Sequence, residues 1–440
     1  MKKESHTFTV EPEQMPEIYY AGRQGYAIAH NGGFIPLPNE SQVAQHLLNT
    51  GLPKENIAPT LCMLRLENFV SYIGPVAGFK SGLHSSNGDN ILVTTGPTIV
   101  EAGAGDPTFI KNVIADLLPD QTQHASFMKW LLHCRRAVVK GRRVQTPALA
   151  LTGSKGDGKS LVIEIVRQTL GNRSANAYRF LSGETNFNKD ILGAELLVMD
   201  DPAASKDPRS RFRLAQNIKG THFTASIHVE GKNKDGFDVS PVQALIIAVN
   251  SDPEHLRVLP ELDDSMEDKI MLLKSSPVGL PDALAGREEE IKREIAAALP
   301  AFLTDLESLD MSEAYDGRGR LKCYWNPGIL EAIGLLSPEQ QVLELIHQVG
   351  AIRMDISSQG RWAGTAATLE GLLTDKDAHV SHAAKRLLSW GGACGTFLGR
   401  LADRVGTGVA RGKKDPRTKI QTYIIEGNVE QQDEDGKTPW

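Results

Sequence analysis

"ALALTGSKGDGKSLVIEIVRQTLG", residues 148–171, decides how this chain is read. An apolar run of strand type stands before the glycines, and a run with helical periodicity follows them. Between them, Gly153-Ser154-Lys155-Gly156-Asp157-Gly158-Lys159-Ser160 satisfies G-x-x-x-x-G-K-[ST]. Such a loop predicts a phosphate cradle. The glycines let successive backbone N–H groups turn inward, Lys159 reaches the β- and γ-phosphates, and the Ser160 hydroxyl holds Mg²⁺. The expected ligands are ATP and Mg²⁺. The competing reading is a glycine-rich strand-to-helix turn with an incidental lysine, and the flanking elements argue against it.

A phosphate loop needs a second group to hold its metal. "ELLVMDDPAAS" (195–205) offers a short buried-strand run ending in Asp200 and Asp201. Asp200 is assigned to the Mg²⁺ shell and Asp201 to the attacking water, against the alternative of a solvated strand end. A third apolar run in "VQALIIAVNSDPEHLRVLP" (242–260) ends in Asn250, placed to meet the γ-phosphate or its water from a neighbouring strand. Asn250 also reads as a turn residue, because Ser251-Asp252-Pro253 is a turn signal. The predicted core is an α/β, P-loop ATPase domain.

Loop, aspartate pair and asparagine in this order resemble the superfamily 3 helicases of viruses, phages and plasmids, a branch of the AAA+ ATPases. More narrowly, "LSGETNFNKDILGAELLVMDD", "NSDPEHLRVLP" and "EDKIMLL" resemble the helicase part of phage and plasmid primase-helicases, over roughly residues 60–275. The resemblance implies ATP hydrolysis at the subunit interfaces of a ring, a hexamer, moving along single-stranded or forked DNA. It also implies a channel hairpin before Asn250. "IKGTHFTASIHVEGKNKDGFDVSPV" (218–242) fits one, with Thr221–Glu230 as a strand, a turn bearing Lys232 and Lys234 as DNA contacts, and Phe237–Val239 returning. Read without the resemblance, those lysines are a solvated turn. The family places a trans-acting arginine after the asparagine strand. This chain has "SMEDKIMLL" there, which leaves Arg257 and Lys269 as the candidates.

The remainder organises around that core. Residues 1–18 are a polar tail, 19–115 a small α/β domain, 116–280 the ATPase domain, 281–355 a helical connector, 356–427 a winged helix and 428–440 an acidic tail. "IYYAGRQGYAIAHNGGFIPLP" (18–38) predicts two strands around a turn, and "NESQVAQHLLNTG" (39–51) a helix closed by Gly51. The small domain lacks the carboxylate pair of a two-metal polymerase site, so a separate primase or polymerase is the expected partner. "QTQHASFMKWLLHCRRAVVK" (121–140) is an amphipathic helix. Arg135, Arg136, Lys140, Arg142 and Arg143 at its end read as a complement to the helix dipole or as a DNA or subunit contact. Three short helices followed by the basic hairpin "ARGKKDPRTKIQTYIIE" (410–426) give the winged-helix pattern. Residues 361–426 hold 11 Lys/Arg against 6 Asp/Glu, so positive charge concentrates here in a chain of net charge −6. Arg400, Arg404, Arg411, Lys413, Lys414 and Arg417 are its candidate DNA contacts. Winged helices also dock proteins, and charge alone does not decide between the two roles.

Composition narrows the classes. At 440 residues, 40% hydrophobic and 23% charged, the chain suits several soluble domains. The sequence has no apolar run long enough to span a bilayer and no leader pattern, which predicts a cytoplasmic protein without membrane contact. Cys62, Cys134, Cys323 and Cys394 have no ligand spacing and read as buried thiols. The alternative to a helicase is an ATP-switched DNA-binding initiator or loader that does not unwind. A P-loop kinase is disfavoured by the lysine hairpin and the basic wing.

Overall fold

Apolar runs such as Ala244–Val249 leave no polar face for water, so they must pair with one another and be covered on both sides. A computed structural model describes residues 17–200, 209–231, 236–260, 262, 265–279, 287–403 and 407–426. The chain divides into two compact units, residues 1–330 and 331–440.

The first unit opens with β1 (Ile18–Tyr20), β2 (Tyr26–His30) and β3 (Gly33–Leu37), an antiparallel sheet in that order. The β2–β3 turn, Asn31-Gly32, has positive φ at both residues, as a two-residue hairpin favours. The sequence predicts two strands here, and β1 adds a third. Next come α1 (Glu40–Asn49), whose Asn39 side chain accepts from the Gln42 N–H at 3.0 Å, and α2 (Lys54–Glu67). The strands β4 (Tyr72–Gly74), β5 (Gly82–Ser86) and β6 (Asp89–Val93) form a second small sheet, ordered β4-β6-β5.

The helices α3 (Thr108–Leu117) and α4 (Gln121–Lys140) lead into β7 (Ala148–Gly153) and α5 (Lys159–Thr169). The chain continues through β8 (Ser174–Asn176), α6 (Tyr178–Leu181), β9 (Leu196–Asp200) and α7 (Arg209–His222). Then follow β10 (Ile227–Val229), β11 (Phe237–Val239), β12 (Ala244–Asn250), α8 (Pro253–Leu256), β13 (Ile270–Lys274) and α9 (Glu288–Glu307). Five of these strands make an all-parallel sheet ordered β13-β7-β12-β9-β8. Leu149, Leu151, Ile246, Met271 and Leu273 bury one side of it in a core shared with α3, α4, α5 and α9. Alternate residues such as Ala150, Ile247 and Leu272 are equally buried on the other. Each large side chain so buried is worth about 1.5–3 kcal/mol. The predicted α/β core is therefore present as a mixed α/β unit around a parallel sheet.

One boundary differs from the sequence reading. Thr221 and His222 close α7, and the hairpin strand starts only at Ile227. Leu214, Ile218 and His222 recur at helical spacing and are buried, and the Thr221 hydroxyl donates to the Asn217 carbonyl one turn back at 2.6 Å. That periodicity overrides the apparent alternation. The antiparallel β10–β11 hairpin packs on the β4–β6 sheet, with Tyr72 and Phe237 stacked at 4.9 Å. Its predicted tip, Lys232 and Lys234, lies outside the described residues.

The helix α10 (Pro327–Leu335) spans the division between the units. The second unit holds α11 (Pro338–Gln348), α12 (Gly350–Gln359), β14 (Arg361–Thr365), α13 (Ala366–Thr374), α14 (Ser381–Leu387), α15 (Ala393–Ala402), β15 (Val409–Lys414) and β16 (Gln421–Glu426). Its sheet, ordered β14-β16-β15, joins the basic hairpin to a strand that the sequence reading lacks. Among the described residues no helix is long and apolar enough to cross a membrane.

A buried ion pair fastens the small β4–β6 sheet to the parallel one. Glu195, fully buried just before β9, accepts from the Gly78 N–H and from Arg173 Nε, each at 2.9 Å. Arg173 in turn donates to the Thr95 carbonyl at 2.9 Å. Replacing Glu195 by Ala strands the guanidinium and should lower stability by about 3–5 kcal/mol in denaturant unfolding of the full chain. A loss below about 1 kcal/mol would show that the pair is not what holds this junction.

Candidate functional site

Because the five strands run parallel, their C-terminal ends share one edge. In register, Asn250 on β12 faces Gly153 on β7, and Ala248 faces Asp200 on β9. The loop between β7 and α5 lies at this edge, where the first turn of α5 offers unpaired N–H groups. Gly156 and Gly158 have φ of +89° and +96°, a conformation costly for any residue with a Cβ. Gly153 serves differently. A Cβ there would stand 1.7 Å from Ser275 Oγ and 2.4 Å from Asp157 Oδ2, so glycine is required by close approach.

The Lys159 side chain is almost fully buried, and its Nζ donates to the carbonyls of Ser154 (2.7 Å) and Gly153 (3.2 Å) and to Asn250 Oδ1 (3.5 Å). Ser160 Oγ donates to Asp200 Oδ2 at 3.4 Å. Lys155, Gly156, Gly158, Lys159, Ser160, Asp200 and Asn250 line a cavity of about 400 Å³. It presents backbone N–H groups, an ammonium, a hydroxyl and a carboxylate, which is the equipment for a phosphate and a hard cation. One hydroxyl and one carboxylate suit Mg²⁺, which keeps water and substrate oxygens as its other ligands. Among the described residues no group of three or more His, Cys, Asp or Glu is placed to hold a metal ion.

Asp157 does not face this cavity. Its carboxylate is buried, and Oδ2 accepts from the Ser154 N–H (2.7 Å) and the Ser275 hydroxyl (2.8 Å). It is an internal strut that ties the loop to the residue after β13. Nothing local in the sequence marks Ser275, a serine that acts across the sheet.

The other predicted residues are dispersed. Asp201 and Arg404 lie outside the described residues. Arg257 is exposed at the end of α8. Lys269 precedes β13, at the opposite edge of the sheet from Lys159, paired with Asp268 and 5.1 Å above the Phe223 ring. In the second unit, Arg411 turns back onto Asp403 (2.8 Å), and Arg400 lies 3.8 Å from the Glu339 carboxylate. Lys413, Lys414 and Arg417 are exposed on the hairpin.

Residues 151–266, from β7 to the approach to β13, match a family of unknown function (DUF5906). No curated protein matches the chain. Among solved structures, two apo forms of the NrS-1 C terminal region match with TM-scores of 0.55 and 0.54 at 14% identity, covering 93% of this chain and 96% of theirs. The fold of that region thus extends along nearly the whole of this chain. A JCV helicase matches at TM-score 0.30 and 13% identity over 57% of this chain and 65% of its own, too remote to add to the argument.

Gly153→Ala should cost about 1–3 kcal/mol of stability through the clash with Ser275. In Gly153→Ala/Ser275→Ala the nearest clashing atom is gone, so the double substitution should cost less than the sum of the two singles. Additive costs in chemical unfolding would show that the two positions do not press on one another.

Proposed function

We propose that the chain is an ATP hydrolase of the superfamily 3 helicase kind that works on DNA as a ring. The observation that carries this reading is the meeting of Lys159, Ser160, Asp200 and Asn250 at one edge of a parallel sheet, around a loop that only glycine permits. On this reading the phosphates of ATP replace the carbonyl oxygens of Gly153 and Ser154 as partners of the Lys159 ammonium, which then balances charge on the transferring phosphoryl group. Ser160 and Asp200 would hold Mg²⁺, whose charge neutralises the phosphate oxygens. The Asn250 amide contacts the γ-phosphate or the attacking water. Asp201 is proposed to orient that water.

In a ring the site takes one more cation from the neighbouring subunit. Arg257 is proposed for this role, because it is exposed and a guanidinium spans two phosphate oxygens. Lys269 is already engaged by Asp268 and the Phe223 ring, which favours a structural part for it. In the second unit, three helices and a basic hairpin support a winged helix whose Lys413, Lys414 and Arg417 meet DNA phosphates without reading bases.

Lys159→Ala should reduce steady-state ATP hydrolysis by about 100-fold or more in a chain that stays folded. Turnover at the wild-type rate in that variant would overturn the reading. For the ring, Arg257→Ala should be inactive alone. When mixed with Lys159→Ala subunits it should regain part of its rate, because some interfaces then hold both working halves. An unimpaired Arg257→Ala, or mixtures that never recover, would remove the trans-acting assignment.

A further inference from the structure

The five cationic residues at the end of α4 part into two groups. Arg135 is buried and donates to the carbonyls of Val100 (2.7 Å) and Thr169 (3.1 Å) and to Glu307 (2.9 Å). Arg143 donates to the carbonyls of Pro241 (2.7 Å) and Thr224 (3.0 Å), and burial brings its pKa down to about 10. Both are consumed by the fold. Arg136, Lys140 and Arg142 turn elsewhere. They line a cavity of about 450 Å³ together with Tyr315, Arg318 and Arg320 from the segment between α9 and α10.

Five cations from two distant stretches of sequence therefore meet around one open space. Arg320 is paired with Asp316 (3.3 Å) and Asp268. Among the described residues the other four stand in no ion pair. Like charges gathered this way repel one another, and among the described residues only Arg320 has carboxylates to offset that repulsion. An anion in the cavity would offset it for the others. Arg142 precedes β7 and Asp268 precedes β13, so the cavity lies at the N-terminal edge of the parallel sheet, opposite Lys159. It is a different site from the phosphate loop.

We infer that this cavity grips the phosphodiester backbone of single-stranded DNA. The inference rests on the reading that the chain works on DNA. Cations spread around an open cavity suit successive backbone phosphates, and the half-buried Tyr315, its ring 5.8 Å from that of His133, forms part of the wall.

The test uses the full chain and a fluorescent oligothymidylate, with affinity measured across a salt series. In Lys140→Ala/Arg142→Ala/Arg318→Ala the log–log salt slope should fall in magnitude by about 2, at roughly 0.7 for each single-strand phosphate contact removed. Basal ATP hydrolysis should stay within about twofold of wild type, since these residues stand at the far edge from the phosphate loop. The charge-preserving Lys140→Arg/Arg142→Lys/Arg318→Lys variant should keep the wild-type slope, and Lys159→Ala should keep it too. An unchanged slope in the alanine variant overturns the cavity while leaving the ATPase reading intact. So does a wild-type chain that hydrolyses ATP but does not bind the oligonucleotide. Equal loss in the charge-preserving variant would mark a structural role and overturn it as well.

Discussion

Strands that all run the same way gather their C-terminal ends on one edge of a sheet and their N-terminal ends on the other, and most of what this protein presents follows from that sorting. Placing β12 between β7 and β9 sets Asn250 beside Gly153 and near Asp200. The interior strands β7 and β12 are the most apolar and the most completely buried, whereas β8, at the edge, keeps its ends exposed. The order of the strands decides which polar strand ends become neighbours.

The elements that carry the site were legible because each announces itself locally. Continuous apolar runs, Ala148–Leu151 in β7 and Ala244–Val249 in β12, mark those strands, and glycines followed by Lys159 and helical periodicity mark the start of α5. Where two periodicities overlap, the sequence misleads. Thr221–Glu230 alternates like a strand, yet its first residues complete a helix whose buried face begins at Leu214. The second hairpin, around Asn87-Gly88, carries the same dipeptide as the first and was open to the same reading.

Contacts made at long range were not legible. Nothing near Ser275 states that its hydroxyl will meet Asp157, more than a hundred residues earlier in the chain. The basic residues at the end of α4 look alike in sequence, but they diverge according to whether a carbonyl lies within reach. Arg135 and Arg143 find several, and Arg136, Lys140 and Arg142 face open space. Asp157 shows the same limit inside the motif itself, since a residue counted as part of the phosphate cradle spends its charge bracing the loop.

That brace has a mechanical side. Ser275, which holds Asp157, directly follows β13, while Asp268, which holds Arg320, comes shortly before it. Six residues separate the two grips, five of them the extended β13, about 17 Å of strand. The strand is paired to β7 on one side and bridged to Trp325 on the other, so its length is set by covalent geometry and its course by hydrogen bonds. One unbroken run of backbone thus joins the residue that holds Asp157 to the residue that holds Arg320, like a tie rod between two opposite edges of the sheet.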